Sequence, residues 1–163
     1  MKHSPYCLLL TGMPNSGKTT IAYELAQKRL RNVLIIDGDK HREMQFLGEK
    51  LGFTEEDILK NNKHVIKLAQ FAQEQGINVL ISQVTPYRKQ REEMSICLEG
   101  FIEVLCDCPK EVRASRPNFV ESDLWYELGV DVLVLDTDKL SVEQCADRIL
   151  EKLRVRQEVG SRG

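Results

Sequence analysis

The stretch Gly12-Met13-Pro14-Asn15-Ser16-Gly17-Lys18-Thr19 reads G-x-x-x-x-G-K-[ST], and its reading decides the fold. An apolar run, Cys7-Leu8-Leu9-Leu10, precedes it, and a helix-forming run from Thr20 to Arg29 follows. Strand, loop and helix in that order are the context a phosphate-binding loop requires. Its glycines let backbone N–H groups fold around β- and γ-phosphates, and the following helix adds the positive end of its dipole. Lys18 contributes a mobile positive charge and Thr19 a hydroxyl for Mg²⁺. The loop therefore predicts a nucleoside triphosphate site.

Outward from the loop, strand-like runs alternate with helical ones. Tyr6–Thr11, Val33–Asp37, Val79–Ser82, Phe101–Asp107 and Val132–Asp136 are short and nearly continuously apolar. Strands buried on both faces of a parallel sheet have this character. Lys63–Gln75 puts Val65, Leu68, Ala69 and Ala72 on one helical face, and Ser141-x-x-Gln144 is a capping box opening a last helix. The order implies a three-layer α/β/α P-loop NTPase fold with a five-stranded parallel sheet. Residues 1–157 are expected to form a single domain and 158–163 a disordered tail.

Composition narrows the class. The 163 residues suit one core, 42% are apolar, and the formal net charge is −2. Near-neutrality argues against nucleic acid as a partner. The apolar stretch near the N-terminus is too short for a signal peptide or membrane span, so a cytoplasmic protein with no membrane partner is expected. Five cysteines stand at 7, 97, 106, 108 and 145 without metal-ligand spacing. They read as small buried apolar residues.

In open α/β sheets, ligands bind beyond the carboxyl ends of the strands, which selects Asp37–Arg42, Ser82–Arg88, Asp107–Arg116 and Asp136–Asp138. Asp37-Gly38-Asp39 puts two carboxylates past the second strand, with Arg42 nearby. One suits Mg²⁺ and the other an acceptor hydroxyl, and an Asx turn is the plain alternative. Thr85-Pro86-Tyr87-Arg88 follows the third strand; Pro86 fixes the turn, Tyr87 and Arg88 would face the crevice, or the segment simply starts a helix. Phe53 precedes a helix capped by Thr54 and either stacks on a base or fills the core.

Together G-M-P-N-S-G-K-T-T, I-D-G-D-K-H-R, L-G-F-T-E-E-D, P-Y-R-K-Q-R and V-L-D-T, in this order from about Leu8 to Asp138, resemble the adenylylsulfate kinase family. The resemblance implies transfer of the ATP γ-phosphate to the 3′-hydroxyl of adenylyl sulfate, with Mg²⁺. It makes Lys18 and Asp39 the catalytic residues, Asp39 as the base at the acceptor hydroxyl. It extends the ATP site from Gly12 through Thr20 and adds Arg116 near the ATP base. Thr19 becomes the metal residue. On the acceptor side, Arg42 holds an anionic group, Phe53 stacks on the base, and Asn61, Val84, Thr85 and Arg88 complete the set.

The chain also departs from the family pattern. Lys40 stands where the family has asparagine in D-G-D-N, and Ile58 stands where an arginine grips the acceptor's phosphosulfate. A lost charge-assisted contact in a dry site is worth about 1.5–3 kcal/mol. After Arg116 the family's long lid is replaced by Pro117–Tyr126 and then the last strand, with no basic residue before Lys139. The short cover predicts weaker closure or help from a second subunit, leaving a homodimer open. Phe119, Trp125 and Tyr126 read equally as cover for a base or as packing. The rival classes are a kinase of another nucleotide or small hydroxyl compound, a GTPase and a non-catalytic nucleotide-binding module. Asn62-Lys63-His64-Val65 fails the base-reading motif that a GTPase needs.

Overall fold

The computed structural model describes residues 4–44 and 50–160. Its strands are β1 (Cys7–Thr11), β2 (Val33–Asp37), β3 (Asn78–Ser82), β4 (Phe101–Asp107) and β5 (Leu133–Asp136). All pair in parallel in the order β2-β3-β1-β4-β5. The helices are α1 (Lys18–Glu24), α2 (Gly38–Glu43), α3 (Glu55–Glu74), α4 (Arg88–Cys97), α5 (Lys110–Ser115) and α6 (Val142–Gly160).

The central strand explains the three layers. Side chains alternate across a strand, so Leu8 and Leu10 join Ile21 of α1, Leu25 just after it, and Ala146 and Ile149 of α6 on one face. Cys7 and Leu9 join Val65, Ala69 and Met94 of α3 and α4 on the other. Leu8, Leu9 and Leu10 are fully buried, each contributing roughly 1.5–3 kcal/mol by leaving water. Four of the five cysteines are buried, and Cys97 is half-buried.

Local signals set the ends. Thr54 caps α3 by accepting from Asp57 N at 3.2 Å. The Ser141–Gln144 box closes reciprocally, at 2.9 and 3.1 Å. Three expectations shift. Helix α3 begins eight residues before Lys63, because its first turns bury Ile58, Asn61 and Asn62. The helix after the loop widens into a π-turn at Leu25–Arg29, where Leu30 N donates to Leu25 O at 2.8 Å. The last helix continues through Gly160, so 158–160 are helical where a disordered tail was expected, while 161–163 lie outside the described residues.

Candidate active site

The loop after β1 needs glycine for a measurable reason. Gly12 has φ +131°, and a Cβ there would stand 2.5 Å from the Cys106 carbonyl oxygen. Gly17, at φ +97°, caps α1. Neighbouring elements hold the loop's carbonyls. Arg113 Nη1 donates to Pro14 O at 3.2 Å, Arg116 Nη1 to Asn15 O at 2.8 Å, and Thr137 Oγ1 to Ser16 O at 2.7 Å. Arg116 Nη2 also reaches Thr137 O at 2.9 Å, tying the ends of α5 and β5 to the loop.

Lys18 is buried, and Nζ donates to Gly12 O at 2.9 Å and Met13 O at 2.8 Å. Burial brings its pKa down from 10.5 to about 8, with Asp39 and Asp37 among the charges that partly oppose the fall. Thr19 Oγ1 donates to Asp37 Oδ2 at 3.2 Å and lies 3.4 Å from Ser82 Oγ. A hydroxyl, a carboxylate and a second hydroxyl at this spacing are the hard oxygen donors Mg²⁺ takes when phosphates and water supply the rest. The residues present fit that ion. The other carboxylate oxygen of Asp37 accepts from Asp39 N and Lys40 N at 3.1 and 3.2 Å. Asp37 thus forms the Asx-type cap of α2 while also facing Thr19.

These groups open onto a crevice of about 1680 Å³. Its loop side carries Pro14, Asn15, Gly17, Lys18, Thr19 and Thr20, with Arg116. Gly12, Met13 and Ser16 lie beneath that surface and hold Lys18 through their oxygens. The opposite side carries Asp39, Arg42, Phe53, Ile58, Val84 and Thr85. Arg42 lies over the Phe53 ring, 4.7 Å from its centroid, and its buried Nε has no hydrogen-bond partner. Burial lowers the Arg42 pKa, opposed by Asp39 and Asp57. Phe53 is 68% exposed, a flat apolar surface offered to the crevice rather than a core plug.

Two expected acceptor residues lie elsewhere. Asn61 is buried behind the wall, 2.7 Å from His41 Nδ1 and 3.4 Å from Gln83 Oε1. Its amide braces α2 against β3 and does not line the crevice. Arg88 does not face the crevice either, because Glu92, one turn along α4, takes its Nε at 2.8 Å. Tyr87 likewise stays outside it. Lys40 leans away, donating to Tyr23 Oη at 2.5 Å, so the lysine occupies no wall of the crevice. Ile58 is only 3% exposed and forms an apolar part of the wall.

Among the three aromatics after Arg116, Tyr126 is packed, with Oη 3.0 Å from Thr11 Oγ1, whereas Trp125 is 82% exposed. Sequence reasoning missed Arg113, Thr137, Ser82 and Gln83 as individual residues. Each stands at a strand end or in the short helix beyond it, so the strand-end rule could have found them.

The model of the adenylylsulphate kinase family matches residues 4–122. An adenylyl-sulfate kinase of Clostridium kluyveri is 32% identical, covering 88% of this chain and 80% of its own. The crystal structure of the protein APE1195 superposes with a TM-score of 0.81 at 29% identity, covering 94% and 96% of the two chains. The Mycobacterium tuberculosis APS kinase CysC, solved with AMPPNP and APS, gives a TM-score of 0.79 at 21% identity over 93% and 98%, a shared fold. The sequence match over most of its length makes this chain a member of the adenylylsulphate kinase family.

Proposed function

We propose that the protein transfers the γ-phosphate of MgATP to the 3′-hydroxyl of adenylyl sulfate, giving 3′-phosphoadenylyl sulfate and ADP. The observation that carries this reading is one continuous crevice with a phosphate loop on one side and Asp39, Arg42 and exposed Phe53 on the other. Donor and acceptor nucleotides fit face to face in such a volume, beyond the roughly 300–1000 Å³ usual for a single ligand. The family membership supplies the choice of acceptor.

ATP lies along the Gly12–Thr19 loop, its charge met by backbone N–H groups, Lys18 and the N-terminus of α1. Thr19 and Asp37 would hold Mg²⁺, whose chemistry there would be to neutralise phosphate charge. Lys18 leaves the Gly12 and Met13 carbonyls for the triphosphate. The acceptor base stacks on Phe53, and Arg42 turns its free Nε to an acceptor anion. Asp39 accepts a hydrogen bond from the 3′-hydroxyl and takes its proton as the new O–P bond forms. The bond from the γ-phosphorus to the β–γ bridging oxygen breaks, and ADP leaves. Asp39 works chiefly by orientation, since transfer through a loose transition state is governed by positioning and charge. This reading makes the protein a cytoplasmic enzyme of small-molecule metabolism.

One observation favours a second reading, a kinase of a different nucleotide or small hydroxyl compound. Ile58 presents hydrocarbon where a doubly charged acceptor would need a second cation. ATP turnover with adenylyl sulfate and other 5′-substituted nucleotides, with products weighed by mass spectrometry, tests both. A 3′-phosphorylated product from adenylyl sulfate supports the first reading. Product from another acceptor alone supports the second, and no product from any acceptor overturns the kinase assignment.

A further inference from the structure

Among the described residues, the charged side chain with the least exposed surface is not in the crevice. Arg91, on α4, is 1% exposed. Its Nη1 donates to Thr85 O at 2.6 Å and its Nε to Glu103 Oε1 at 2.7 Å, while Nη2 donates to Glu127 O. The guanidinium also lies 4.7 Å from the centroid of the Tyr126 ring. Tyr126 continues the chain of contacts, with Oη 3.0 Å from Thr11 Oγ1. Thr11 in turn donates to Val84 O at 2.5 Å and stands 2.8 Å from Thr85 Oγ1. Thr11 is the residue before Gly12, and Gly12 N itself approaches Val84 O at 3.5 Å.

One junction therefore joins three parts of the crevice: the root of the phosphate loop, the Val84–Thr85 wall, and the segment after Arg116. That segment lines the crevice from Pro117 to Leu124 and is held at its start by Arg116 and by Asn15 Nδ2 donating to Pro117 O at 2.9 Å. At its far end Glu127 N donates to Pro86 O at 2.9 Å, and the Glu127 carboxylate accepts from Arg88 N at 2.6 Å. Thr85 carries the mark of tension, a β-branched residue at φ +41°. Such a conformation persists only where surroundings over-determine it, and at binding sites it has a purpose.

We propose that Arg91 and Tyr126 are positioning residues that set the acceptor wall at Thr85 and the cover at 117–124 against the phosphate loop. They touch no substrate. They fix the distance between the two halves of the crevice, and their loss loosens acceptor binding and water exclusion while the loop itself remains formed. The proposal rests on the kinase reading only for its acceptor arm. The Glu127 amide, which donates to Pro86 O at 2.9 Å, reports on the far end of the cover without any acceptor.

Tyr126→Phe keeps the ring under the guanidinium and removes one hydrogen bond. Thr85→Gly relieves the positive φ and removes the hydroxyl. Arg91→Lys keeps the charge opposite Glu103 but not the fork. For Tyr126→Phe the expected rise in acceptor KM is roughly fivefold, the worth of one hydrogen bond. The KM for ATP should stay within about twofold, and more ADP should form per transferred phosphoryl group. Hydrogen exchange of the Glu127 amide in the MgADP-bound protein should quicken about tenfold in Tyr126→Phe and Arg91→Lys, while that of Ile21, bonded to Gly17 O beside the loop, should not. Added to Thr85→Gly, which already releases the wall, Tyr126→Phe should raise the acceptor KM by less than twofold, a coupling that a purely structural role would not give. If wild-type protein does not turn over adenylyl sulfate, the acceptor assignment fails, and the exchange arm still decides this proposal. Unchanged exchange of the Glu127 amide in both variants, or equal rises in the KM for ATP and acceptor, would overturn it.

Discussion

Lys18 should link nucleotide binding to proton uptake. In the free protein its amine is buried against the Gly12 and Met13 carbonyls, with a pKa of about 8. A bound triphosphate surrounds it with negative charge and raises that value, so only the protonated lysine binds well. Free protein is then charged at Lys18 in about nine-tenths of molecules at pH 7 and about one-tenth at pH 9. The dissociation constant for a non-hydrolysable ATP analogue with Mg²⁺ should weaken about tenfold over that interval, roughly 1.4 kcal/mol. The nucleotide's own last proton leaves near pH 6 and does not contribute. Calorimetry in buffers of different ionisation enthalpy should show about half a proton taken up at pH 8 and nearly one at pH 9. Lys18→Met should abolish the uptake along with most of the affinity. The same shift acts on folding with a definite sign. Between pH 8 and 10.5 the unfolded chain holds a proton that the free folded protein has released, so Lys18 penalises the folded state less as pH rises. A flat affinity from pH 7 to 9 without proton uptake would mean that Lys18 is already charged throughout that range in the free protein, contrary to this prediction.

The two roles of Asp37 are separable. Asp37→Asn keeps an acceptor for the α2 cap, so the melting temperature should hardly move, while the Mg²⁺ concentration for half-maximal activity should rise tenfold or more, at the scale of lost metal-site contacts. Gly38 permits close approach, since a Cβ there would stand 2.5 Å from Gln83 Cβ. Gly38→Ala should cost about 1–3 kcal/mol in urea unfolding and weaken acceptor binding by displacing Gln83. Ile58→Arg adds a cation to the acceptor wall. If adenylyl sulfate is the acceptor, its KM should fall about tenfold or more, the scale of one charge-assisted contact, with the KM for ATP unchanged. An unchanged acceptor KM would remove that wall from the anion's path.

The strands were legible because burial on both faces leaves a continuous apolar run, as at Leu8–Leu10 and Val79–Ile81. The loop was legible because phosphate chemistry fixes both residue types and spacing. Helix α2 was not, because six residues led by Gly38 show no apolar period and owe their start to the Asp37 cap. The direction of Arg88 was not legible for a related reason: spacing from Pro86 says that a helix begins, but Glu92 decides where the side chain rests. Arg113, Arg116 and Thr137 act through carbonyls some hundred residues away along the chain. Of these only Arg116 was found, by resemblance. Asn61 was placed among acceptor residues by the same resemblance, yet its amide is taken up by His41 and Gln83.

In the proposed reaction Asp39 orients an acceptor hydroxyl for transfer from ATP on the loop. The most direct test of that role is single-turnover transfer from γ-labelled ATP to adenylyl sulfate, comparing wild type with Asp39→Asn at saturating acceptor. ATP affinity should stay normal, and labelled 3′-phosphoadenylyl sulfate should form at least about a hundredfold more slowly in the variant, the scale of a lost acid–base group. Labelled product forming at the wild-type rate in Asp39→Asn would contradict that role.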